Sequence, residues 1–307
     1  MSAFIDQERG RFGVEPVCRE LEVSARAYRE RRRGQLSRRG RHDGVIAAEI
    51  RRVHAESDSS YGSWRCWKQL NREGVRVARC TVERLMRSEG LVGVVRGKTQ
   101  RTTLPGSNPG PAADLVKRRF VASRPDELWV CDFTYVRTWE GWAYLAIVLD
   151  VYSRRIVGWQ LASHMRESLV DDALQMAIAG RTNPTAPLVA HTDNGSQYTA
   201  WGYTQRLGDA GIVPSRGRTG TALDNAMAES VIATIKTELT KKRLWRTRLD
   251  LELALLTYIG WYNQHRLHRS LGGNTPNETA ANYRSDTAGK TESDHEIKNE
   301  NQLKQSA

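Results

Sequence analysis

The chain has 307 residues, of which 39% are hydrophobic and 27% charged, and a formal net charge of +12. That length holds one large domain or two to three small ones, and the composition is that of an ordinary water-exposed globular chain. No apolar run approaches the roughly 18–20 residues of a membrane span. The start, MSAFIDQERG, also lacks the basic and apolar stretches of a secretory signal, so the expected location is the cytoplasm.

The charge is uneven. Residues 1–101 hold 23 Lys/Arg against 13 Asp/Glu and so carry +10 of the +12. Such a bias suits a polyanionic partner, although a solvated basic surface gives the same count. The four cysteines, Cys18, Cys66, Cys80 and Cys131, form no C-x-x-C. His42, His54, Cys66 and Cys80 follow at spacings of twelve, twelve and fourteen, unlike paired zinc ligands. Buried reduced thiols are the expectation.

In chain order, residues 1–40 read as a helix-turn-helix-like segment. Glu15–Leu21 forms one helix, and Ser24 caps a second, Ala25–Arg33, ended by Gly34. Residues 41–96 read as a second helix-turn-helix domain. There Ile46, Ile50 and Val53 share a helix face, and Ser63–Asn71 presents Trp64, Trp67 and Leu70 on one side. A last helix, Arg79–Glu89, turns Val82, Leu85 and Met86 inward and leaves Arg79, Arg84 and Arg87 outward. A recognition helix needs that division, since one side must pack while the other reaches bases or phosphates. Residues 97–124 are proline-rich and aperiodic, which predicts a linker.

Residues 125–284 alternate strand and helix signals. Glu127–Val136, Trp142–Asp150 and Arg155–Leu161 predict an antiparallel meander. A helix over Arg166–Ala179 follows, then a strand, Leu188–Thr192, a helix near Thr199–Ala210 and a strand around Ile212–Pro214. A long helix capped by Asp224 runs to about Lys241, with Ala228, Val231, Ile232, Ile235 and Leu239 on its buried face. Residues 285–307 are polar and predict a disordered tail.

Three acids stand out by their order. Asp132 lies within a strand, where aspartate is depleted and a half-buried carboxylate needs a partner. Asp193 ends a strand, and Glu229 borders the apolar stripe of the long helix with Lys236 two turns on. Each has a plain reading: a paired core aspartate, a turn residue in Asp-Asn-Gly, a solvated helix glutamate. Together they leave 35 residues between Asp193 and Glu229 and six between Glu229 and Lys236.

That pattern, with RFGVEPVCREL, HAESDSSYGSWRCWKQLNREGV, RLMRSEGL, LWVCDFTYV, HTDNGSQY, LDNAMAESVIATIKTEL and WYNQHRLHRSLGGNTPNE, resembles the insertion-sequence-three family of DDE transposases. The resemblance spans nearly all of residues 3–284 and concerns the downstream-frame, retroviral-integrase-like product. Trp64 and Cys66 depart from it, standing where smaller or more basic residues are expected. The resemblance implies an RNase H-like α/β core, a mixed five-stranded sheet flanked by helices, after an all-α helix-turn-helix region.

It also implies metal-dependent cleavage and joining of DNA at the ends of an insertion sequence. Asp132 would bridge two Mg²⁺ or Mn²⁺ ions, with Asp193 on one and Glu229 on the other. Lys236 would hold a phosphate, and Asn194, Gly195 and Tyr198 would position DNA. Arg79, Arg84 and Arg87 would contact the terminal inverted repeats. Expected partners are those repeats and target DNA, further copies of the chain on DNA, and an upstream-frame product as fusion partner. No membrane is involved, and the bacterial nucleoid is the place of work. Two alternatives stay open: a non-catalytic DNA-binding regulator with an integrase-like core, and an RNase H-type nuclease.

Overall fold

A computed structural model describes residues 1–34, 37–95, 113–193, 195–217 and 225–283. It comprises two compact units, Met1–Val94 and Val95–Ala307. In the described residues no helix is long and apolar enough to cross a membrane.

The first unit is helical. α1 (Ser2–Phe12), α2 (Val14–Glu20) and α3 (Ala25–Arg32) close around Ile5, Val17, Cys18 and Tyr28. Ser24 caps α3 as expected, its hydroxyl accepting from the Ala27 amide at 3.2 Å. α1 escapes the periodicity argument because it buries one residue, Ile5.

α4 (Arg38–Glu56), α5 (Ser63–Arg72) and α6 (Arg79–Ser88) follow, with Ile46, Ile50, Val53, Val82, Leu85 and Met86 buried. On α5 the fully buried residues are Cys66 and Leu70 rather than the tryptophans. Trp67 stays at the rim because its indole N–H needs an acceptor, and it donates to the Val77 carbonyl at 3.0 Å, closing the α5–α6 turn. A Cβ at Gly93 would lie 2.3 Å from the Gly62 nitrogen, so only glycine lets the chain after α6 pass the start of α5.

The second unit is a five-stranded sheet with helices on both faces. Its strands are β1 (Leu128–Thr138), β2 (Gly141–Asp150), β3 (Ile156–Ala162), β4 (Leu188–Thr192) and β5 (Ile212–Arg216), in the order β3-β2-β1-β4-β5. β1 to β3 form the antiparallel meander, while β4 joins β1, and β5 joins β4, in parallel. This is the mixed sheet that the sequence resemblance implies. α7 (Glu167–Ala179) and α8 (Trp201–Asp209) cover one face, over Trp129, Cys131, Val148 and Leu174. α9 (Ala226–Ile235) and α10 (Arg248–Gln264) cover the other, over Val130, Leu145, Ile147 and Leu149. Each such buried aliphatic side chain contributes roughly 1.5–3 kcal/mol.

Packing of α7 on β3 is tight: a Cβ at Gly158 would meet the Ala173 carbonyl oxygen at 2.1 Å. α10 starts at a capping box of Thr247 and Asp250. Periodicity does not single it out, because exposed Leu249, Leu253 and Leu256 put leucines on its solvent side too.

Of the stretch expected as a linker, residues 113–124 are described, and they lie against the sheet. Val116 is buried, and the Leu115 amide donates to Ser215 Oγ at 3.0 Å. The expected Asp224 cap and the 285–307 tail fall outside the described residues. Cys18, Cys66 and Cys131 are buried free thiols, whereas Cys80 is exposed, against expectation, because it points away from the α6 core face. Burial pushes the Cys66 and Cys131 thiols up to about 12.

Candidate active site

β4 pairs with β1 only over Leu128 to Val130, ending at Val130 opposite His191. Two residues further along the chain from each of these stand Asp132, still on β1, and Asp193, just past the end of β4. The parallel register therefore sets the two carboxylates side by side, on strands about 4.8 Å apart, where the strands separate. A crevice at the carboxyl ends of parallel strands is where open α/β sheets place ligands. One oxygen of each carboxylate is already anchored. The Phe133 amide donates to Asp132 Oδ1 at 2.8 Å, and the Gly195 amide to Asp193 Oδ1 at 3.0 Å.

The helix side of the crevice is α9. Asn225, at its N-terminus, donates from Nδ2 to the Cys131 carbonyl at 3.0 Å and so ties the helix to β1 one residue before Asp132. Sequence reasoning missed Asn225, although Asn before an apolar helical run is a start signal. Glu229 lies one turn in, exposed beside buried Ala228.

The helix does not continue regularly to Lys241, as the pattern predicts. It passes at Lys236 into a π-helical turn, Lys236–Thr240, in which the Lys241 amide donates five residues back to the Lys236 carbonyl at 2.9 Å. The extra residue rotates the face, so Glu238 turns fully inward while Leu239, expected on the buried face, packs against the core only partly buried. Lys236 itself reaches β1, its ammonium 5.1 Å from the Tyr135 ring centroid.

Burial raises the Asp132 pKa well above the usual carboxylate range, and the charges of Asp193 and Glu229 push it further. The Phe133 amide and Lys236 oppose this. Asp193 is also raised by burial, against the Gly195 amide and His191. Lys236 is lowered, by burial and by Lys241, although Asp132 pulls it back up. Burial thus weighs more on the Asp132 and Asp193 charges than their amide and cationic neighbours offset.

Among the described residues no three His, Cys, Asp or Glu side chains gather closely enough to hold a metal ion. The donor chemistry nonetheless fits a hard divalent cation: partly buried, like-charged carboxylates of Asp132 and Asp193, with the Glu229 charge near enough to act on Asp132. The buried Tyr198 hydroxyl, which has no hydrogen-bond partner among the described residues, adds to that picture, its own pKa raised by burial and by both aspartates.

The remaining expected residues divide. Asn194 lies outside the described residues. Gly195 abuts Asp193, where a Cβ would stand 3.1 Å from Oδ1, so its smallness serves the carboxylate. Tyr198, expected to position DNA, is buried, its ring packed against Phe133 and Tyr203 because the helical turn Ser196–Thr199 points it inward. Arg79, Arg84 and Arg87 are exposed on α6 in the other unit. Arg79 pairs with Glu83 at 2.7 Å and Arg84 with Asp43 at 2.8 Å. Exposed pairs of this kind are worth roughly 0–1 kcal/mol, so a phosphate can displace them.

A second charge cluster lies behind the π-helical turn. Glu238 accepts from Arg266 at 2.6 and 2.8 Å and from the Tyr258 hydroxyl at 2.8 Å, all buried. Neither Glu238 nor Arg266 is singled out by the sequence analysis.

Residues 122–222 and 210–276 match the family model of an integrase core domain, and residues 41–99 that of an HTH-like domain. The chain is similar to the transposase for insertion sequence element IS629 of Shigella sonnei, 44% identical over 92% of this chain and 96% of that one. It is likewise 44% identical to a putative transposase for IS986/IS6110 of Mycobacterium tuberculosis, over 86% and 96% of the two chains. The HTLV-2 integrase catalytic core domain in complex with magnesium is 20% identical, over 50% of this chain and 95% of that one, with a TM-score of 0.40. With relatives matched almost end to end and an integrase core carrying the acids in order, the chain belongs to the insertion-sequence-three family of transposases, DDE polynucleotidyl transferases that cut and join DNA.

Proposed function

We propose that Asp132, Asp193 and Glu229 are the catalytic carboxylates and that together they hold two Mg²⁺ or Mn²⁺ ions. The observation that carries this reading is the side-by-side placement of Asp132 and Asp193 where β1 and β4 part, with the charge of Glu229 felt at Asp132. Bound divalent metal supplies charge neutralisation at the phosphate under attack. The protein's part is positional. The Phe133 and Gly195 amides fix one oxygen of each aspartate, and Asn225 holds α9, and so Glu229, against β1.

Lys236 grips a phosphate next to the scissile one. Water cuts the phosphodiester at the element's end and frees a 3′-hydroxyl, which then attacks a second phosphodiester in line and expels that strand's own 3′-oxygen as a hydroxyl. The 41–96 helix-turn-helix domain, helped by residues 1–40, reads the terminal inverted repeats through Arg79, Arg84 and Arg87 on α6. Several copies assemble on the DNA, an upstream-frame product extends recognition as a fusion partner, and the work is done at the bacterial nucleoid.

Asp132→Asn, Asp193→Asn and Glu229→Gln are each expected to lower cleavage and strand transfer by on the order of 10³-fold or more. Chelation abolishes both reactions, and Mg²⁺ or Mn²⁺ restores them. Gel analysis of labelled element ends is the measurement, and robust strand-transfer product from Asp132→Asn would sink the assignment.

A further inference from the structure

Folding leaves an aromatic cluster in solvent on the β1–β2 hairpin. Trp139 at its tip is 67% exposed, Trp142 on β2 46% and Tyr135 on β1 42%. Apolar surface of this size, gathered in one place, marks an interaction site more often than chance. Every ring has a cation beside it. Arg246 lies 5.7 Å from the Trp139 centroid, Arg137 5.1 Å from Trp142 and Lys236 5.1 Å from Tyr135. Tyr135 and Trp142 also meet edge to face at 5.1 Å.

The segment running beside the hairpin adds charge. KKRLWRTR, residues 241–248, is basic at five of eight positions. It is held there by Trp245, buried, whose carbonyl accepts from the Trp139 amide at 3.0 Å.

The strip begins close to the acids. Tyr135 lies three residues beyond Asp132 on the same strand and Thr138 six, or roughly 10 and 20 Å along β1. Tyr135 and Arg137 point to the opposite face of the sheet from Asp132. The two faces communicate at the strand's flank, because β4 pairs no further than Val130 and Lys236 crosses there to Tyr135.

We propose that this hairpin strip binds single-stranded DNA, stacking unpaired bases on Trp139 and Trp142 while Arg137, Arg246 and residues 241–243 take the phosphates. Aromatic faces interleaved with cations are what a sequence-tolerant single-strand site needs, since every base has a π-face and every nucleotide a negative charge. Duplex DNA hides its base faces within the stack and would leave both indoles unused. A second copy of this chain is disfavoured as occupant because it would present the same positive charge. The proposal rests on DNA being the substrate and is independent of which acids cut it.

The test uses the full-length protein in chelator, so a wrong assignment of the three carboxylates does not alter the result. Photo-crosslinking to a 12-nucleotide oligo(dT) carrying 5-iodouracil is expected to give adducts at Trp139 or Trp142 in the wild-type chain. By fluorescence anisotropy, Trp139→Ala with Trp142→Ala is expected to weaken oligo(dT) binding about tenfold or more. Binding of a duplex of equal length should change less than about twofold, because its phosphates still meet the arginines. Trp139→Phe with Trp142→Phe, which keeps the stacking faces, recovers most of the single-strand affinity. Three results would overturn the proposal: adducts only elsewhere, equal loss on single strand and duplex, or unchanged oligo(dT) binding by the alanine pair together with a smaller assembly on size exclusion.

Discussion

Two buried charge clusters in the second unit have opposite characters. Glu238 and Arg266 satisfy one another with two hydrogen bonds, and Tyr258 fills another acceptor site on the carboxylate. Asp132 lies beside the like charge of Asp193, and burial and that charge raise its pKa more than the Phe133 amide and Lys236 lower it. Glu238 and Arg266 are buried and Asp132 and Asp193 partly so, and what separates the clusters is compensation. A compensated cluster holds structure, and the π-helical turn exists to bring Glu238 to its arginine. An uncompensated one costs stability and is retained where charge must be offered to something from outside.

The largest effect expected from this contrast concerns the compensated pair. Glu238→Gln leaves Arg266 buried without a counter-charge, at a cost of about 3–5 kcal/mol. Replacing both, Glu238→Leu with Arg266→Met, should recover most of that, as an apolar pair of similar volume needs no solvation. Urea unfolding of the three variants measures it. A Glu238→Gln protein as stable as wild type would remove the distinction between the clusters.

The opposite sign is expected at the acids. Each aspartate has a folded-state pKa above its unfolded value, so ionisation weakens the fold at neutral pH. In chelator, Asp132→Asn should therefore stabilise the chain by at least about 1 kcal/mol while abolishing strand transfer. A melting temperature that falls would make Asp132 a structural residue.

The smallest effect belongs to Lys236, half-buried between the clusters. Lys236→Ala is expected to weaken binding of pre-cleaved end DNA several-fold and to lower the log–log salt slope by about 1, with little change in stability. Titrations at a series of salt concentrations check this, and wild-type end binding with an unchanged slope would return Lys236 to the solvated surface.

Local chemistry explains what was legible without coordinates. β4 is found over the residues expected, Leu188–Thr192, because a short apolar run between turn residues has little else to become. Ser24 and the inward Val82, Leu85 and Met86 of α6 follow from capping and periodicity, which are properties of neighbouring residues. Glu238 was illegible for the complementary reason. Its partner lies 28 residues away, and the π-helical turn that aims it at Arg266 breaks the very period by which helix faces are read. Tyr198 misled because its proximity in sequence to Asp193 says nothing of the direction its ring takes.

The sequence by itself determined the order and spacing of the three acids, the helical character of the basic region and the alternation of the core, since each depends on residue type and local separation. Long-range packing settled that Asp132 comes to lie beside Asp193, that the π-helical turn brings Glu238 into the core, and that Trp139 and Trp142 are left in solvent. Those outcomes depend on strand register, on an inserted helical residue and on which face a helix covers, and all three are settled by packing between segments far apart in the chain.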